Sequence, residues 1–549
     1  MPNPPDDPVP DEPAGEFAPP VGSRRAGVLL PGTAARRLHA RVLDPALTVQ
    51  VGVDGSDTAP HHPVEVHSTA YVSDQLLVRG LPSGRAAAWR ERFQGAIERS
   101  GIPWTATFPE STTIERIARS LDVVEFADEL ALTPVRIQVT PGQVGPAPDA
   151  WTLLQHLRAA AGGPVPEVTL RHAVITCGHA DGIGHADGIG HADGIGHADG
   201  IGHADGIGHA DGISDPYAIG GGREPVTWAG ASGRVPGAPG PRVAILDTGV
   251  GAHDWFPEGD GITRDVRIAG HRVGLRFAPQ DDPERTGVTI DTVNGRLDPL
   301  AGHGTFIAGI IRQRCPQAEI LSVPVMYGDG VADEGDIMDA LVALTLLTKH
   351  ALTHGTGAEI DVVSLSFGYY HETPAAFDDE SAFLRVLRAL SDLGVTVVAG
   401  AGNDATTTEF YPAAFARSGM PGAPLVSVGA TNPGGRSVAA YSNTGQWVTA
   451  YRAGTSVVST MPTTLNGSWQ PALATGAKGI PQRRSTVDPD DFSSGFGVWS
   501  GTSFAAPALA GEIAAGLAEI AAGLAAAARS PADRVQQARQ CVAQVMSGC

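Results

Sequence analysis

One heptapeptide near the C-terminal end of the chain reads Gly501-Thr502-Ser503-Phe504-Ala505-Ala506-Pro507. It leads into a run of small and apolar residues, which predicts a buried helix that packs closely against its neighbours. A serine at the start of a helix lies near backbone N–H groups, where negative charge is stabilised. Such a serine is more often an ordinary helix cap than a catalytic group. The heptapeptide therefore has to be interpreted together with other segments of the chain.

Three further segments place a polar residue at the start or the end of a predicted element. The apolar run Val243 to Leu246 is typical of a parallel strand buried on both faces, and it ends on Asp247. His303 stands between two glycines at the start of a predicted helix, and Asn403 follows the glycine-rich end of a predicted strand. Functional groups of open α/β sheets gather at the carboxyl ends of strands, and an asparagine amide can donate to a developing oxyanion. The segments together indicate a catalytic site.

The sequence around these motifs alternates between strand-like and helical patterns. The strand-like runs are 320–325, 362–367, 395–399 and 425–428, and the helical runs are 336–347 and 381–393. This alternation predicts an α/β fold with a doubly wound parallel sheet.

In their chain order of Asp, His and Ser, the motifs resemble those of the subtilisin-like serine proteases (subtilases, peptidase S8 family). The resemblance covers about 240–525 and implies a serine endopeptidase that cuts peptide bonds through an acyl-enzyme intermediate. It implies that Asp247, His303 and Ser503 form the catalytic triad. It also implies that the Asn403 side chain and the backbone N–H of Ser503 form the oxyanion hole.

The same resemblance implies a pocket for the residue before the cut. Two segments flank this pocket, Ser366-Phe367-Gly368 and Gly400-Ala401-Gly402. No acidic residue is evident in them, which favours apolar or broad specificity. Phe367 is larger than the leucine often found in the family, so the resemblance does not define the shape of the pocket.

In the region before the motifs, no group of residues typical of a catalytic site is found. Residues 1–26 are acidic and Pro-rich and are predicted to form a disordered tail. Residues 27–176 follow the order strand, helix, strand, strand, helix, strand, with an extra helix near 112–122. This order predicts a smaller α/β domain of the ferredoxin-like type. By analogy with subtilase propeptides, it is interpreted as a domain that inhibits the protease intramolecularly, with a permanent accessory domain as the alternative. The catalytic domain is predicted over 241–527 and a helical C-terminal tail over 528–549.

Six tandem copies of Gly-His-Ala-Asp-Gly-Ile fill residues 178–213, inside a predicted repeat and Gly/Pro-rich linker over 177–240. Regularly spaced His and Asp indicate metal binding as one hypothesis. Each copy carries two glycines and little apolar surface, which favours instead a repeat expanded by copying within a surface loop. On this second interpretation no residue is assigned as a metal ligand.

Length and composition limit the other classes of function that the protein can have. With 549 residues the chain is predicted to have two or more domains, and its net charge of −21 argues against nucleic-acid or anionic-membrane binding. No stretch is expected to span a membrane, and no signal peptide is recognised, which predicts a cytoplasmic protein, or a secreted one if the true start differs. The four cysteines are too few for a disulfide framework and are expected to be free thiols: Cys177, Cys315, Cys541 and Cys549.

The expected partners are protein or peptide substrates. The chemistry is expected to require no cofactor; calcium is common in the family, but no loop of this sequence is specific enough to assign a calcium site. Two other classes remain open: a pseudoprotease that binds peptides without cutting them, and a metal-binding protein that acts through the His/Asp repeat.

Overall fold

The computed structural model describes residues 28, 30–45, 66–176, 223–228, 230–374, 381–476, 483–522 and 530–547. The predicted tail over 1–26, the hexapeptide repeats, Cys177 and Cys549 lie outside the described residues. Cys315 and Cys541 are buried free thiols, as predicted.

The N-terminal domain, up to residue 176, has the predicted order of elements. Its helices are α1 (Gly32–Leu38), α2 (Trp89–Ser100), α3 (Thr113–Ser120), α4 (Val124–Leu130) and α5 (Ala150–Ala161). Its strands are β1 (Ala40–Val42), β2 (Ala70–Arg79), β3 (Trp104–Thr107), β4 (Leu132–Val139) and β5 (Val168–Thr176). An antiparallel sheet runs in the order β5-β2-β4-β3, with β1 also paired to β2. The run β2-α2-β3-β4-α5-β5 matches the ferredoxin-like element order, α3 is the predicted extra helix, and α4 is a further helix that was not predicted.

This sheet is buried on both faces, because successive side chains of a strand point in opposite directions. Leu76 and Val78 of β2 pack with Phe93 of α2 and Leu154 of α5. Leu77, between them, points to the other face and joins a cluster that extends into the rest of the chain. The N-terminal domain therefore has a core of its own and a second apolar face that packs against the part of the chain that follows the repeat.

The strands after the repeat belong to the second domain. They are β6 (Glu224–Pro225), β7 (Arg242–Asp247), β8 (Ile262–Thr263), β9 (Arg267–Ile268), β10 (His271–Arg272), β11 (Glu319–Pro324), β12 (Val331–Asp333), β13 (Val362–Leu365), β14 (Phe367–Gly368), β15 (Thr396–Gly400), β16 (Leu425–Thr431), β17 (Ala450–Ala453), β18 (Val457–Thr460), β19 (Ala474–Thr475), β20 (Arg484–Ser485) and β21 (Phe496–Trp499). The helices are α6 (His303–Arg314), α7 (Glu334–His354), α8 (Ala382–Asp392), α9 (Thr502–Ala522) and α10 (Pro531–Ser547).

The main sheet of this domain is parallel, in the order β17-β16-β15-β13-β7-β11-β8. Alternate residues of its strands face opposite layers of helices. Val243 and Ile245 of β7 pack in the cluster that holds α6 and α9. Ala244 and Leu246 pack in the cluster that holds α7 and α8. The predicted doubly wound α/β architecture is confirmed, and Asp247 lies at the carboxyl end of an inner strand.

One expectation from the sequence was wrong. Part of the predicted linker packs on the catalytic domain, because β6 pairs with β21 and the buried Arg223 donates to the carbonyl oxygens of Ala301 and Asp298. In addition, α9 is long and apolar enough to span a membrane by length and composition, although no such stretch was expected. Much of α9 is buried against the parallel sheet, which accounts for its apolar composition.

Candidate active site

Asp247 and His303 meet where β7 ends and α6 begins. The Nδ1 atom of His303 lies 2.7 Å from the Oδ1 atom of Asp247, and both side chains are fully buried. A carboxylate can only accept, so Nδ1 carries the proton and donates it. The other ring nitrogen, Nε2, is thereby left in the form that can accept a proton.

The close approach of these two elements depends on a glycine. A Cβ atom added to Gly304 would lie 2.0 Å from the carbonyl oxygen of Gly249. Any side chain at position 304 would push α6 away from the end of β7. The Gly-His-Gly pattern therefore serves the packing that brings His303 to Asp247.

Glu284 holds the same junction together, and sequence reasoning missed it. Its Oε1 atom accepts from the Thr248 hydroxyl at 2.5 Å and from the backbone N–H of Gly304 at 3.0 Å. Its Oε2 atom accepts from the Thr305 hydroxyl at 2.5 Å. These partners follow Asp247 and His303 directly in the chain. Glu284 is thus a positioning residue for the Asp247–His303 pair, and burial raises its pKa from the usual 4.5 to about 8.

We expect Glu284→Gln to change how stability depends on pH. Between about pH 4.5 and 8 the folded chain keeps a proton on Glu284 that the unfolded chain releases, and in this protonated form Oε2 can donate to the Thr305 hydroxyl. Stability therefore falls as pH rises through this window, and a glutamine removes that fall. Both chains are prepared in a Ser503→Ala background. The Tm of Glu284→Gln minus the Tm of the chain with Glu284 should increase as the pH is raised from mildly acidic to alkaline. The control is Glu258→Gln, at an exposed position. A difference in Tm that stays constant with pH would contradict the assignment.

Ser503 is the second residue of α9, and a proline four residues later shapes its surroundings. Pro507 has no N–H, so the carbonyl oxygen of Ser503 loses its helical partner. The hydroxyl of Ser366 donates to that carbonyl oxygen instead, at 3.1 Å. The Gly-Thr-Ser-Phe-Ala-Ala-Pro motif therefore ties the start of α9 to the segment around Ser366.

The Ser503 hydroxyl does not bond to His303 in this structure. Its Oγ atom lies 3.5 Å from the carbonyl oxygen of Ser366. Among the described residues, Nε2 of His303 has no hydrogen-bond partner. The helix of Ser503 nevertheless contacts the histidine, since the ring centroids of His303 and Phe504 are 5.4 Å apart. A hydrogen bond between nucleophile and base often forms only when substrate binds.

Asn403 also contacts the start of α9. Its Oδ1 atom accepts from the backbone N–H of Thr502 at 3.0 Å. An N–H can only donate, so the oxygen end of the amide is held against Thr502 and the Nδ2 end is turned away from it. Gly402, before Asn403, has φ of +97° and leaves no room for a Cβ beside Asn443. Asn443 in turn donates to the carbonyl oxygen of Ala401 at 2.9 Å.

We expect Asn403→Ala to lower kcat by roughly 10²–10³-fold with little change in KM. The amide is used mainly when negative charge develops on the carbonyl oxygen of the substrate, so ground-state binding is spared. Steady-state kinetics on a small peptide substrate measure both constants. A matched control is Asn432→Ala, in the turn after β16, where the amide donates to the hydroxyl of Ser437. A variant that loses affinity but keeps kcat would make Asn403 a binding residue instead.

The two predicted pocket segments lie on either side of the start of α9. Ser366 bonds to the carbonyl oxygen of Ser503, and the N–H of Gly402 donates to the hydroxyl of Thr502 at 3.1 Å. Gly400 ends β15 and lies beside Ala401, while Phe367 and Gly368 form β14. Phe367 is fully buried in the cluster shared with the N-terminal domain. The six predicted pocket residues are therefore brought to one end of the parallel sheet.

The last strand of the N-terminal domain lies in this same place, which the sequence did not reveal. Strand β5 pairs in antiparallel fashion with β12 on one side and with β14 on the other. Its last residue, Thr176, donates through its hydroxyl to the carbonyl oxygen of Ser366 at 3.4 Å. That carbonyl is also the hydrogen-bond partner of Ser503. Thr176 of the N-terminal domain and the candidate nucleophile thus share one carbonyl oxygen as their hydrogen-bond partner.

Comparison with known proteins fits this arrangement. The model of the peptidase S8 or subtilase family matches residues 238–536. The chain belongs to the subtilase family. The match contains Asp247, His303, Asn403 and Ser503 and excludes the N-terminal domain of this subtilase.

Two curated relatives illustrate the extent of the similarity. A thermophilic serine proteinase of Bacillus sp. (strain AK1) is 28% identical over 238 residues, which are 41% of this chain and 46% of that protein. Subtilisin BL of Lederbergia lenta is 27% identical over 242 residues, which are 42% of this chain and 71% of that protein. The subtilase described here thus covers less than half the length of the Bacillus proteinase.

Among solved structures, fervidolysin from Fervidobacterium pennivorans, described as a keratinolytic enzyme related to subtilisin, is similar with a TM-score of 0.40. It is 17% identical, and the match covers 82% of this chain and 55% of fervidolysin. A lanthipeptide protease is similar with a TM-score of 0.32 and 21% identity, over 55% of this chain and 78% of that protein.

Proposed function

We propose that this subtilase is a serine endopeptidase whose triad is Asp247, His303 and Ser503. The observation that carries the proposal is the buried 2.7 Å contact between His303 Nδ1 and Asp247 Oδ1. It fixes the tautomer in which Nε2 is the base. Ser503 attacks the peptide carbonyl and forms an acyl-enzyme, and Nε2 takes its proton and passes it to the leaving amine. Asp247 stabilises the imidazolium formed in between.

The oxyanion of the tetrahedral intermediate is bound by two donors. These are the amide Nδ2 of Asn403 and the backbone N–H of Ser503, which lies in the first turn of α9. The positive end of the helix dipole adds to the stabilisation of negative charge there. The contact of Asn403 Oδ1 with Thr502 supports this role, because it orients the amide before substrate arrives.

Substrates are proteins or peptides that bind in extended form. Strands β12 and β14 would pair with the substrate backbone on its two sides, as they pair with β5. Ser366-Phe367-Gly368 and Gly400-Ala401-Gly402 would flank the side chain before the cut. Neither segment carries a charge, which favours an apolar residue or broad preference at that position.

The N-terminal domain restrains this activity by filling the substrate cleft with β5. Two arginines hold the domain beside β12. Nη2 of Arg37 donates to both carboxylate oxygens of Asp329, at 2.7 and 2.9 Å. Nε of Arg171 donates to Asp333 at 2.5 Å. Because the domain is part of the same chain, its effective concentration reaches the mM range even with a flexible connection.

A fluorophosphonate probe with peptide-mapping mass spectrometry tests the peptidase proposal. The probe should label Ser503 and casein should be cut, to a small extent in the full chain and to a larger extent in the variant Arg37→Ala/Arg171→Ala, which loosens the N-terminal domain. Absence of labelling under all conditions, together with intact casein, would favour the pseudoprotease alternative.

The inhibitory role has a separate test in the double variant Arg37→Ala/Arg171→Ala. Loss of these two contacts should raise the initial rate on a small peptide substrate and the labelled fraction of Ser503. The charge-matched control is Arg36→Ala/Arg116→Ala, at exposed positions of the same domain. An unchanged rate with intact labelling would still support the peptidase proposal but would contradict the inhibitory role, and the N-terminal domain would then be an accessory domain.

A further inference from the structure

A cluster of histidines and glutamates lies buried between the two domains. His172 belongs to β5, Glu334 is the first residue of α7, and His371 and Glu372 follow β14. All four side chains are at least nine-tenths buried. The cluster plays no part in the proposed triad chemistry. It was not predicted from the sequence, because His172 is 162 residues from Glu334 and 200 residues from Glu372.

Three members of this cluster have the spacing of metal ligands. One donor atom each of His172, His371 and Glu372 lies within 4.8 Å of the other two. Oε2 of Glu372 is 2.9 Å from Nε2 of His172 and 3.6 Å from Nδ1 of His371. Two ligand atoms of a tetrahedral zinc ion, each about 2.0–2.1 Å from the metal, are about 3.3 Å apart. The observed distances lie on both sides of that value.

The remaining nitrogen of His172 has the partner that a metal-bound histidine needs. Oε2 of Glu334 lies 2.7 Å from Nδ1 of His172 and accepts from the His172 backbone N–H at 2.9 Å. A carboxylate on Nδ1 holds the proton there and directs Nε2 to the metal. Tyr369 stacks on the imidazole with ring centroids 4.4 Å apart and fixes the plane of the ring.

The donor set also selects the class of metal. Two imidazoles and one carboxylate suit zinc and similar divalent transition metals, whereas calcium takes six to eight oxygen ligands. Ligation through Nδ1 of His371 would displace the backbone N–H of Thr373, which is 3.0 Å from that nitrogen.

We propose that His172, His371 and Glu372 bind a zinc-like divalent metal that locks the N-terminal domain onto the catalytic domain. One ligand comes from β5 and two come from the segment that follows β14. Since the site is buried only when β5 is docked, metal binding and docking stabilise each other. The effect on activity rests on the proposed inhibitory role of the N-terminal domain, whereas metal binding itself does not.

Metal content of the full chain tests the site directly. The Ser503→Ala chain, without an affinity tag, is titrated with Zn²⁺ against a chromophoric chelator, and bound zinc is measured by mass spectrometry. The six repeat histidines can bind metal as well, so every variant is also prepared with these histidines replaced by serine. In that background one equivalent of zinc should remain.

The variants His172→Gln and His371→Gln should lose this equivalent, and Glu334→Gln should weaken zinc binding by about 10–100-fold. His354→Gln is the control, because it removes an exposed histidine whose ring is tilted against that of His350, with the centroids 4.1 Å apart. Tm values in the presence of a chelator verify that each variant is folded. Co²⁺ in place of Zn²⁺ should give absorption bands of a site with nitrogen and oxygen ligands, and His371→Gln should abolish them.

Equal zinc content in the control and the two histidine variants would overturn the proposal. So would the absence of bound zinc in the folded chain whose repeat histidines are replaced. A different result is that zinc binds as expected while a chelator leaves the peptidase rate of the otherwise unmodified chain unchanged. That result would support the metal site and contradict its proposed effect on activity.

Discussion

Ser503→Ala is expected to lower kcat on casein or a peptide substrate by about 10⁶-fold, to the level left by binding and the oxyanion hole alone. The substitution removes the only atom that would bond covalently to the substrate. It should leave the fold unchanged, because the Ser503 hydroxyl makes only a 3.5 Å contact with the Ser366 carbonyl, and the backbone carbonyl that accepts from Ser366 is retained.

The measurement compares wild type with Ser503→Ala in casein cleavage, fluorophosphonate labelling and Tm. Ser493→Ala, at an exposed serine shortly before the motif, is the matched control and should behave as wild type. Cleavage of casein by Ser503→Ala at an undiminished rate would remove Ser503 from the mechanism. An equal loss in both variants would point to damage to the fold.

The architecture of the catalytic domain could be predicted because its strands are buried on both faces. Val243 to Leu246 is apolar without interruption, since alternate residues pack against different layers of helices. A polar residue directly after such a run marks the carboxyl end of the strand, as Asp247 does. His303 and Ser503 lie at the starts of α6 and α9 instead, and the glycine-containing motifs that resemble those of the subtilases locate them.

Other features depend on contacts between residues that are far apart in the chain, and local sequence patterns do not predict such contacts. Glu284 follows Asp281-Asp282-Pro283, a polar stretch that indicates an exposed loop, yet the fold buries it against Thr248 and Thr305. The pairing of β5 with β12 and β14 joins residues more than 150 positions apart. The Gly- and Pro-rich composition before Pro241 likewise predicts a linker and does not reveal that Arg223 is buried against the catalytic domain.

Asp247→Asn is expected to lower kcat by about 10⁴-fold, the order of the loss when the carboxylate of a catalytic triad is removed. The structure indicates how the amide would be oriented. Oδ1 of Asp247 accepts from the backbone N–H of Thr248 at 2.8 Å, in addition to its contact with His303. Because this N–H can only donate, the asparagine oxygen should occupy the Oδ1 position and its NH₂ group the Oδ2 position. Oδ2 has no hydrogen-bond partner among the described residues, so the new donor would be buried without an acceptor.

In this orientation the imidazole keeps its Nδ1–H···O bond and its tautomer but loses the negative charge that stabilises the imidazolium. The loss of rate should then appear in kcat with little change in KM, because the charge acts only once His303 has taken the proton. Kinetics from neutral to alkaline pH on a small peptide substrate measure it, with Asp265→Asn at an exposed position as the control. The unpaired donor should also lower the Tm of Asp247→Asn relative to Asp265→Asn. A loss of less than tenfold in kcat would mean that Asp247 does not stabilise the imidazolium, and that the 2.7 Å contact is structural.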